Sequence, residues 1–580
     1  MVPFTADCTS SSATGRGIVR RDSWSARQDE NRDKPNNRKS EPGASHRYLK
    51  ASYAATLLGV VVTLTGCAVG PHYAKPALSV NDSWSGAGTP QITAQPATDP
   101  AWWKTFNDPV LEQLIQLAYK QNLTLRVAGL RIMEARAVLG IATGNQYPQT
   151  QQAFAGVSGL GLSNNTVNKP PPFSRYYAND QLGLNVSWEA DFWRQYAKAV
   201  RAQKDVYLGS TADYQEALVT LTAEVASTYV AVRTFEALIE QARRNVSIQQ
   251  ESFRIADARF RNGATSELDP SQARALLEST RATIPQLEIS LAQAKNALTT
   301  LLGQPTGSLE NVLQGPQAIP TAPAQVAVSV PAEVLRRRPD IRNAELIAMA
   351  QCERIGIAKA DLYPHFVLSG TLGLHATQGG TTTFNLFDPG SFFFAVGPQI
   401  YWNFFNYGRI KNQVRVEDAR FQEVLTTYQN SVLSAGQEVE DGIVGYVKAL
   451  EATSVQQGAV TAARRSAELA LIQYREGATD YQRVLLADQT QLQQENNLVS
   501  LRSSVATNAI SLYKALGGGW EMSVGQPFVP DATRIEMQKR TNWGNFFSTQ
   551  PTTGSSTTSA PSPTAPQPTA PPPTAPPPTR

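Results

Sequence analysis

The pentapeptide RNGAT at residues 261–265 returns as REGAT at residues 475–479, which is 214 residues further along the chain. The dipeptide LG at 302–303 returns at 516–517 with the same offset. A constant offset over this distance indicates that one unit is written twice in the sequence. For a chain of 580 residues, the repeat predicts two copies of one extended element rather than a single compact globule.

Upstream of RNGAT, apolar residues recur with alternating spacings of three and four. This heptad pattern predicts a coiled-coil helix from about Gln195 to Phe260, and no proline interrupts it. At about 1.5 Å per residue, such a helix is a rod of roughly 100 Å. The matching seam of the second copy, from Val432 to Tyr474, consists mostly of small residues. Small seams favour helices that form a wall around a hollow over a filled bundle.

Before each long helix, the apolar period changes to two. Strands that alternate apolar with small or polar residues and carry aromatic ends are typical of a transmembrane β-barrel, although a half-buried strand of a soluble sheet has the same period. Two strands per copy make four per chain, so a water-filled barrel requires twelve strands from at least three chains. The apolar positions are Leu182, Leu184, Val186 and Trp188 in the first copy, and alternate residues over 366–374 and 392–402 in the second.

The N-terminal region has the features of an export signal that ends at Cys67. Residues 1–46 are polar without apolar periodicity, so we expect them to be disordered. An apolar run over 51–64 follows two basic residues and is too short to cross a bilayer of about 30 Å. It ends in LTGC at 64–67, which resembles the bacterial lipobox, where the cysteine is acylated; an ordinary signal peptide with an incidental cysteine is the alternative. The residue after the cysteine is Ala68 and not Asp. By the sorting rules of bacterial lipoproteins, this indicates that the acylated protein resides in the outer membrane.

The composition excludes several classes of function. The net charge of +4 comes from residues 1–50, and the chain beyond Cys67 holds equal numbers of basic and acidic residues, so it lacks the basic balance of a nucleic-acid-binding protein. Three Cys and four His, without a Cys-x-x-Cys or a His pair at ligand spacing, argue against a zinc site and a disulfide framework. Walker, nucleophile-elbow, HExxH and dinucleotide motifs are also missing, so we expect neither an enzyme nor a cofactor apart from a covalent lipid on Cys67.

The chain divides by composition and repeat position into six segments. The C-terminal segment holds eleven Pro among Thr, Ala and Ser, which predicts an extended tail. The predicted segments are a leader and signal peptide (1–66), a first repeat (67–305), a linker (306–330), a second repeat (331–520), a C-terminal periplasmic segment (521–550) and a disordered tail (551–580).

Several motifs together resemble the TolC-like outer-membrane efflux proteins, in the lipoprotein branch that serves RND-type pumps. The resemblance covers roughly residues 67–520. It is carried by WWKTFNDPVL at 102–111, SELD at 266–269, RRRPDI at 336–341 and YREGATD at 474–480.

This resemblance implies a trimer with a 12-strand β-barrel in the outer membrane and a 12-helix barrel in the periplasm. It also implies a passive conduit for drugs or other small toxic compounds, with a periplasmic adaptor and an inner-membrane RND transporter as partners. A channel for type I protein secretion shares these features and remains an alternative. Metal-ion efflux is a second alternative. The chain has only five Met and four His, which weakly disfavours it, because soft-metal conduits often carry such ligands.

The resemblance also points to functional residues at the two repeated turns. Glycine accepts a positive φ at a helix end, so Gly263-Ala264-Thr265 and Gly477-Ala478-Thr479 are each predicted to form the tip of a helical hairpin. In the family these tips contact the adaptor. The alternative is that the glycines serve only as helix C-caps.

The family also implies a periplasmic gate at the tips. The candidates are Asp269 with Tyr474 as a link between the hairpins, and Asp480 with Arg483 as a local pair on one helix face. Two positions depart from the family pattern, because Thr479 and Leu486 stand where an Arg and an Asp are found. Asp488 faces about 200° away from Leu486 on an ideal helix, so it does not replace that acid. Solvated tip charges without a gating role are the alternative.

We expect Cys67 to be the acylated first residue of the mature protein. Mass spectrometry of the membrane fraction tests this, and an intact N-terminus upstream of Cys67, or an unlipidated Cys67, contradicts it. Because a barrel by itself holds the protein in the membrane, Cys67→Ser is expected to lower the yield more than it disturbs the fold.

Overall fold

The computed structural model describes residues 68–76, 81–86, 88–93, 100–163, 165, 175–314, 318–379, 382–383 and 385–547. The chain divides into two units, 1–65 and 66–580, and every described residue belongs to the second. The predictions of a disordered leader, of acylation at Cys67 and of an extended tail lie outside the described residues.

The secondary structure repeats in the same order in both halves. The α-helices of the described residues are α1 (Pro109–Gln121), α2 (Leu123–Gly144), α3 (Gln195–Arg261), α4 (Leu268–Leu301), α5 (Pro331–Arg337), α6 (Pro339–Ala360), α7 (Arg409–Arg475), α8 (Tyr481–Ala515) and α9 (Asp531–Arg540). The strands are β1 (Ile92–Thr93), β2 (Thr150–Gly161), β3 (Tyr176–Ala190), β4 (Val326–Ala327), β5 (His365–Gly379), β6 (Thr382–Thr383) and β7 (Phe392–Tyr401).

The two long helices confirm the repeat and the heptad prediction. Helices α3 and α7 each contain 67 residues, and their first residues are separated by the same 214 positions as the repeated turns. Each is followed after a short turn by an antiparallel partner, α4 or α8, against which it packs. The seam residues predicted for α7 are buried or half-buried, from Val432 to Tyr474.

Strands β2, β3, β5 and β7 form an antiparallel sheet in this order, and β6 adds two residues beside the end of β5. Strands β1 and β4 form a separate, parallel pair. The central pairing joins the copies, with Leu184 opposite Leu372 and Gly183 opposite Gly373. The predicted apolar positions of β3, from Leu182 to Trp188, are exposed on one face. Strand β2 begins just after Pro148, where the sequence predicts that a helix stops and a strand begins, although its residues, TQQAFAGVSGLG, alternate only weakly.

The largest apolar core lies where α1 and α2 meet residues 207–232 of α3 and residues 439–449 of α7. Trp102 and Trp103 are fully buried there, next to Leu111 and Leu114 of α1. The Trp102 ring stacks on Tyr513 of α8 at 5.2 Å between centroids. The WWKTF landmark therefore joins the two copies by packing. No helix in the described part of the chain is both long and apolar enough to cross a membrane.

The segment 68–76 lies against the sheet-proximal end of α3. Lys198, in the first turn of α3, is buried and pairs with Glu353 of α6 at 2.7 Å. A Cβ at Gly356 would lie 2.5 Å from Lys198 Cδ and 2.8 Å from the Val69 carbonyl oxygen. Glycine is therefore required at 356 for the segment 68–76 to pack beside the first turn of α3.

We expect Gly356→Ala to destabilise the protein by about 1–3 kcal/mol through overpacking and to release the segment 68–76. The matched control is Gly458→Ala on α7, where a new Cβ meets no atom within 4 Å. Thermal unfolding and the hydrogen exchange of residues 68–75 measure both variants. Equal behaviour of the two proteins would show that the close approach at Gly356 is unimportant.

Candidate functional site at the helical tips

Each hairpin ends in the turn that the repeated pentapeptide predicts. Gly263 and Gly477 have φ of +70° and +77°. The N–H of Ala264 donates to the Arg259 carbonyl at 2.9 Å, and the N–H of Ala478 donates to the Gln473 carbonyl at 2.8 Å, as in a Schellman motif. The glycine and alanine of each turn are exposed, whereas Thr265 and Thr479 are half-buried.

Asp269 and Tyr474 are brought together between the two hairpins. The Tyr474 hydroxyl donates to Asp269 Oδ2 at 2.8 Å, and the Thr265 hydroxyl donates to the same oxygen. Burial, followed by the hydrogen bond and the charge of Asp269, raises the pKa of Tyr474 to about 12, so the phenol keeps its proton at neutral pH. The link therefore joins α4 of the first copy to α7 of the second.

Arg259 forms a second connection between the tips, which the sequence reasoning missed. Its Nη1 donates to the carbonyl oxygens of Tyr474 at 2.5 Å and Arg475 at 3.1 Å. Its guanidinium also lies 4.8 Å from the centre of the Tyr474 ring. A cation at the last carbonyls of α7 is stabilised by the helix dipole. Arg259 stands one turn before the repeated turn, but nothing in its spacing indicates that it reaches the other hairpin.

The other proposed gate pair is local to one helix. Asp480 and Arg483 are exposed, and Asp480 Oδ1 accepts the backbone N–H of Arg483 at 3.3 Å. The carboxylate therefore caps the start of α8, as Asp does at many helix N-termini. Next to it, the Tyr481 ring packs edge-on against Tyr474 at 5.2 Å.

A row of buried polar side chains continues the contact between α3 and α8 above the tips. Glu495 is buried and accepts from Arg464 Nε of α7 at 2.6 Å, from Asn245 at 3.1 Å and from Gln241. This row was not predicted, because polar residues at heptad positions do not reveal their partners in the sequence.

On α8, Leu486, which departs from the family pattern, and Asp488 lie on opposite faces. Leu486 is 65% exposed, whereas Asp488 is 5% exposed, as helical geometry predicts. Asp488 Oδ2 accepts a weak hydrogen bond from Ser252 of α3 at 3.3 Å. Burial raises the pKa of this carboxyl to about 6, against the small lowering by Ser252.

The groove beside this row is open to solvent and has a volume of about 640 Å³. It is bordered by α3, α7 and α8, and Arg464 and Glu495 also border a second groove of about 790 Å³ nearer the linker. Among the described residues, no group of three or more His, Cys, Asp or Glu is placed to hold a metal ion.

Comparison with known proteins identifies relatives of the whole arrangement. The family model described as "Outer membrane efflux protein" matches residues 114–304 and 330–518. The chain is 29% identical over 463 residues to the cation efflux system protein CusC of Escherichia coli O6:H1, covering 80% of this chain and 98% of CusC. It is 30% identical over 477 residues to the toluene efflux pump outer membrane protein TtgC of Pseudomonas putida, covering 81% of this chain and 97% of TtgC.

A solved structure has the same fold. The outer-membrane channel OprN superposes with a TM-score of 0.72 and is 30% identical in sequence. The match covers 78% of this chain and all of the OprN chain.

We expect the double variant Asp269→Ala with Tyr474→Phe to open the tips more often, because it removes the hydrogen bond between α4 and α7 while the core above is unchanged. Planar-bilayer conductance of the purified assembly measures this. The control is Asp257→Ala, which removes an exposed pair with Arg261 within α3. A double variant with the small and rare currents of the wild type excludes this link from the gate.

Proposed function

The chain belongs to the outer membrane efflux protein family and is an outer-membrane channel for efflux, and from this premise we propose that three copies form the passive conduit of a tripartite pump. The observation that carries the proposal is the sheet, which has four principal strands, an exposed apolar face and two unpaired edges above a pair of long helical hairpins.

The trimer follows from the backbone of the sheet edges. Within one chain, the outer edges of β2 and β7 have no neighbouring strand in the described residues. Lipid offers no hydrogen-bond partner to such an edge, so a membrane-embedded sheet closes on itself. Three chains supply twelve strands, which leaves room for an aqueous pore, whereas eight strands are filled by side chains.

A lipid on Cys67 fits the position of the segment that follows it. The chain from residue 68 to 76 packs beside the first turn of α3, five residues after β3 ends. An acyl chain on the preceding residue would thus enter the membrane leaflet at the periplasmic end of the barrel. Each buried CH₂ of that lipid contributes about 0.8 kcal/mol, which adds an anchor to the barrel itself.

The energy for transport comes from partners in this proposal. We assign adaptor docking to the turns Gly263-Ala264-Thr265 and Gly477-Ala478-Thr479, which lie at the ends of the hairpins farthest from the sheet and are mostly exposed. The adaptor would join these tips to an inner-membrane RND transporter. The link between Asp269 and Tyr474, with the cap of Asp480 on Arg483 beside it, would hold the tips closed until the adaptor binds.

The cargo we propose is drugs or other small toxic compounds. Sequence identity does not decide this, because the relative named for cations and the relative named for toluene are 29% and 30% identical to the chain. Five Met and four His in the whole sequence provide few soft ligands, which favours the organic cargo over metal ions. Protein secretion remains the alternative that shares the same architecture.

Replacing Gly477 by Trp is expected to reduce export while trimers still assemble. The bulky side chain occupies the exposed tip, and the positive φ adds about 1–2 kcal/mol of local strain. Gly307→Trp is the matched control, because Gly307 has φ of +89° with open space around it and lies in the linker.

Export is measured in cells that lack the wild-type gene, with one panel of antibiotics and solvents and one of copper and silver salts. Adaptor crosslinking and trimer yield are followed in parallel. Wild-type export and unchanged crosslinks in Gly477→Trp place docking elsewhere, and rescue against metal salts alone replaces the proposed cargo by metal ions.

A further inference from the structure

Asp488 differs from the other charged side chains along the contact between α3 and α8. It is almost completely buried, and the Ser252 hydroxyl is the one hydrogen-bond donor that reaches it among the described residues. The other charged residues bordering the same groove each have a partner of opposite charge. These pairs are Arg464 with Glu495 at 2.6 Å, Arg244 with Glu240 at 3.3 Å and Glu468 with Arg465 at 2.8 Å.

A buried carboxylate with one weak donor is costly, whereas the neutral acid is not. The neutral acid also provides an O–H donor. On α3, one turn before Ser252, Gln249 is buried and its Oε1 has no hydrogen-bond partner among the described residues. The contact between α3 and α8, called the seam below, thus places a buried carboxyl against a single hydroxyl donor, and this environment favours the neutral acid.

We propose that Asp488 is a proton-operated latch between the two hairpins, which holds α3 against α8 when the acid is neutral and loosens this seam when it is ionised. The latch rests on the proposed function of the tips as a gate and adds regulation to it. The channel would therefore close more firmly in acid than at neutral pH.

The direction follows from proton linkage. Burial raises the pKa of Asp488 to about 6 in the packed seam, and solvent would return it toward its ordinary value near 4 when the seam opens. The closed state then binds more protons than the open state between these values, so closure strengthens as the pH falls through this window. Across this window, the ratio of closed to open channels changes about tenfold for each unit by which the pKa of Asp488 falls on opening.

Other titratable groups do not reverse this direction. Arg244 of α3 is paired with Glu240, Arg464 of α7 is paired with Glu495, and Glu468 of α7 is exposed and paired with Arg465. Burial, with the Asp488 charge second, raises the pKa of Tyr481 far above neutrality, so this phenol stays neutral. Among the nearby acids, Asp269 of α4 accepts from Tyr474, Glu495 of α8 is held by Arg464, and Glu251 of α3 is exposed and paired with Arg254.

The test is the open probability of the purified full-length trimer in planar bilayers between pH 5 and pH 8. The wild type is expected to open less often at pH 5 than at pH 8. Asp488→Asn, which is neutral at every pH, should keep the low open probability of the acid form throughout. Glu468→Gln removes an exposed carboxyl from the same groove and should titrate like the wild type.

Ser252→Ala provides a second, graded variant. The hydroxyl favours the ionised acid, so its removal should move the midpoint of the pH response to a higher pH without abolishing it. Hydrogen exchange of residues 241–255 and 485–497, corrected for the intrinsic pH dependence, reports the seam directly. Protection should fall with rising pH in the wild type and stay constant in Asp488→Asn.

The possible outcomes separate the latch from the channel function. A wild-type response retained by Asp488→Asn, or a wild type without any response between pH 5 and pH 8, overturns the latch. Trimers that carry no current at any pH, while the exchange of the seam still responds to pH, overturn the gate at the tips and leave the proton-dependent contact in place.

Discussion

The contact between α3 and α8 is the interaction on which the lower part of the molecule depends. The duplication produces two hairpins, and each is stable as a pair because a heptad seam buries its own apolar stripe. Nothing in that pairing holds one hairpin to the other. Below the apolar core, this role falls to α3 and α8, together with the cross-links at Tyr474. The relative position of the tips is thus set by the contact between α3 and α8 and the cross-links at Tyr474.

That seam changes its chemistry along its length. Near the core, Leu218 and Val225 of α3 belong to the same apolar cluster as Ala509 of α8, and such a cluster is stable because it removes apolar surface from water. Toward the tips, the buried residues include Gln241, Asn245 and Ser252, whose partners are carboxylates of α8. A hydrogen bond contributes only about 1 kcal/mol net, because water competes for the same groups. The tips can therefore separate while the core remains intact.

The sheet imposes a second constraint at the opposite end. Its central strands, β3 and β5, belong to different repeats, so backbone hydrogen bonds hold the two repeats of one chain together. Among the described residues, the outer edges of β2 and β7 have no partner strand, and lipid does not tolerate open edges. Within one chain, the two repeats are thus joined by the pairing of β3 with β5. At the outer edges of the sheet, the chain depends on strands of further chains. The proposed assembly of three chains would pair these edges with one another.

The sequence by itself determined the repeat, both long helices, the strands with strong alternation and the turns at the tips. Each of these depends on local periodicity or on the conformational freedom of glycine, which a single chain displays in its residue order. It also indicated the pair Asp269 and Tyr474 through a family resemblance. The register of strand β2, the reach of Arg259 and the partners of Glu495 were decided only by the tertiary structure. Those features depend on which helix faces which, and side chains that are 200 or more residues apart meet only after α3 and α8 have packed. The burial of Asp488 has the same origin, because its environment is supplied by α3 and not by its neighbours in the sequence.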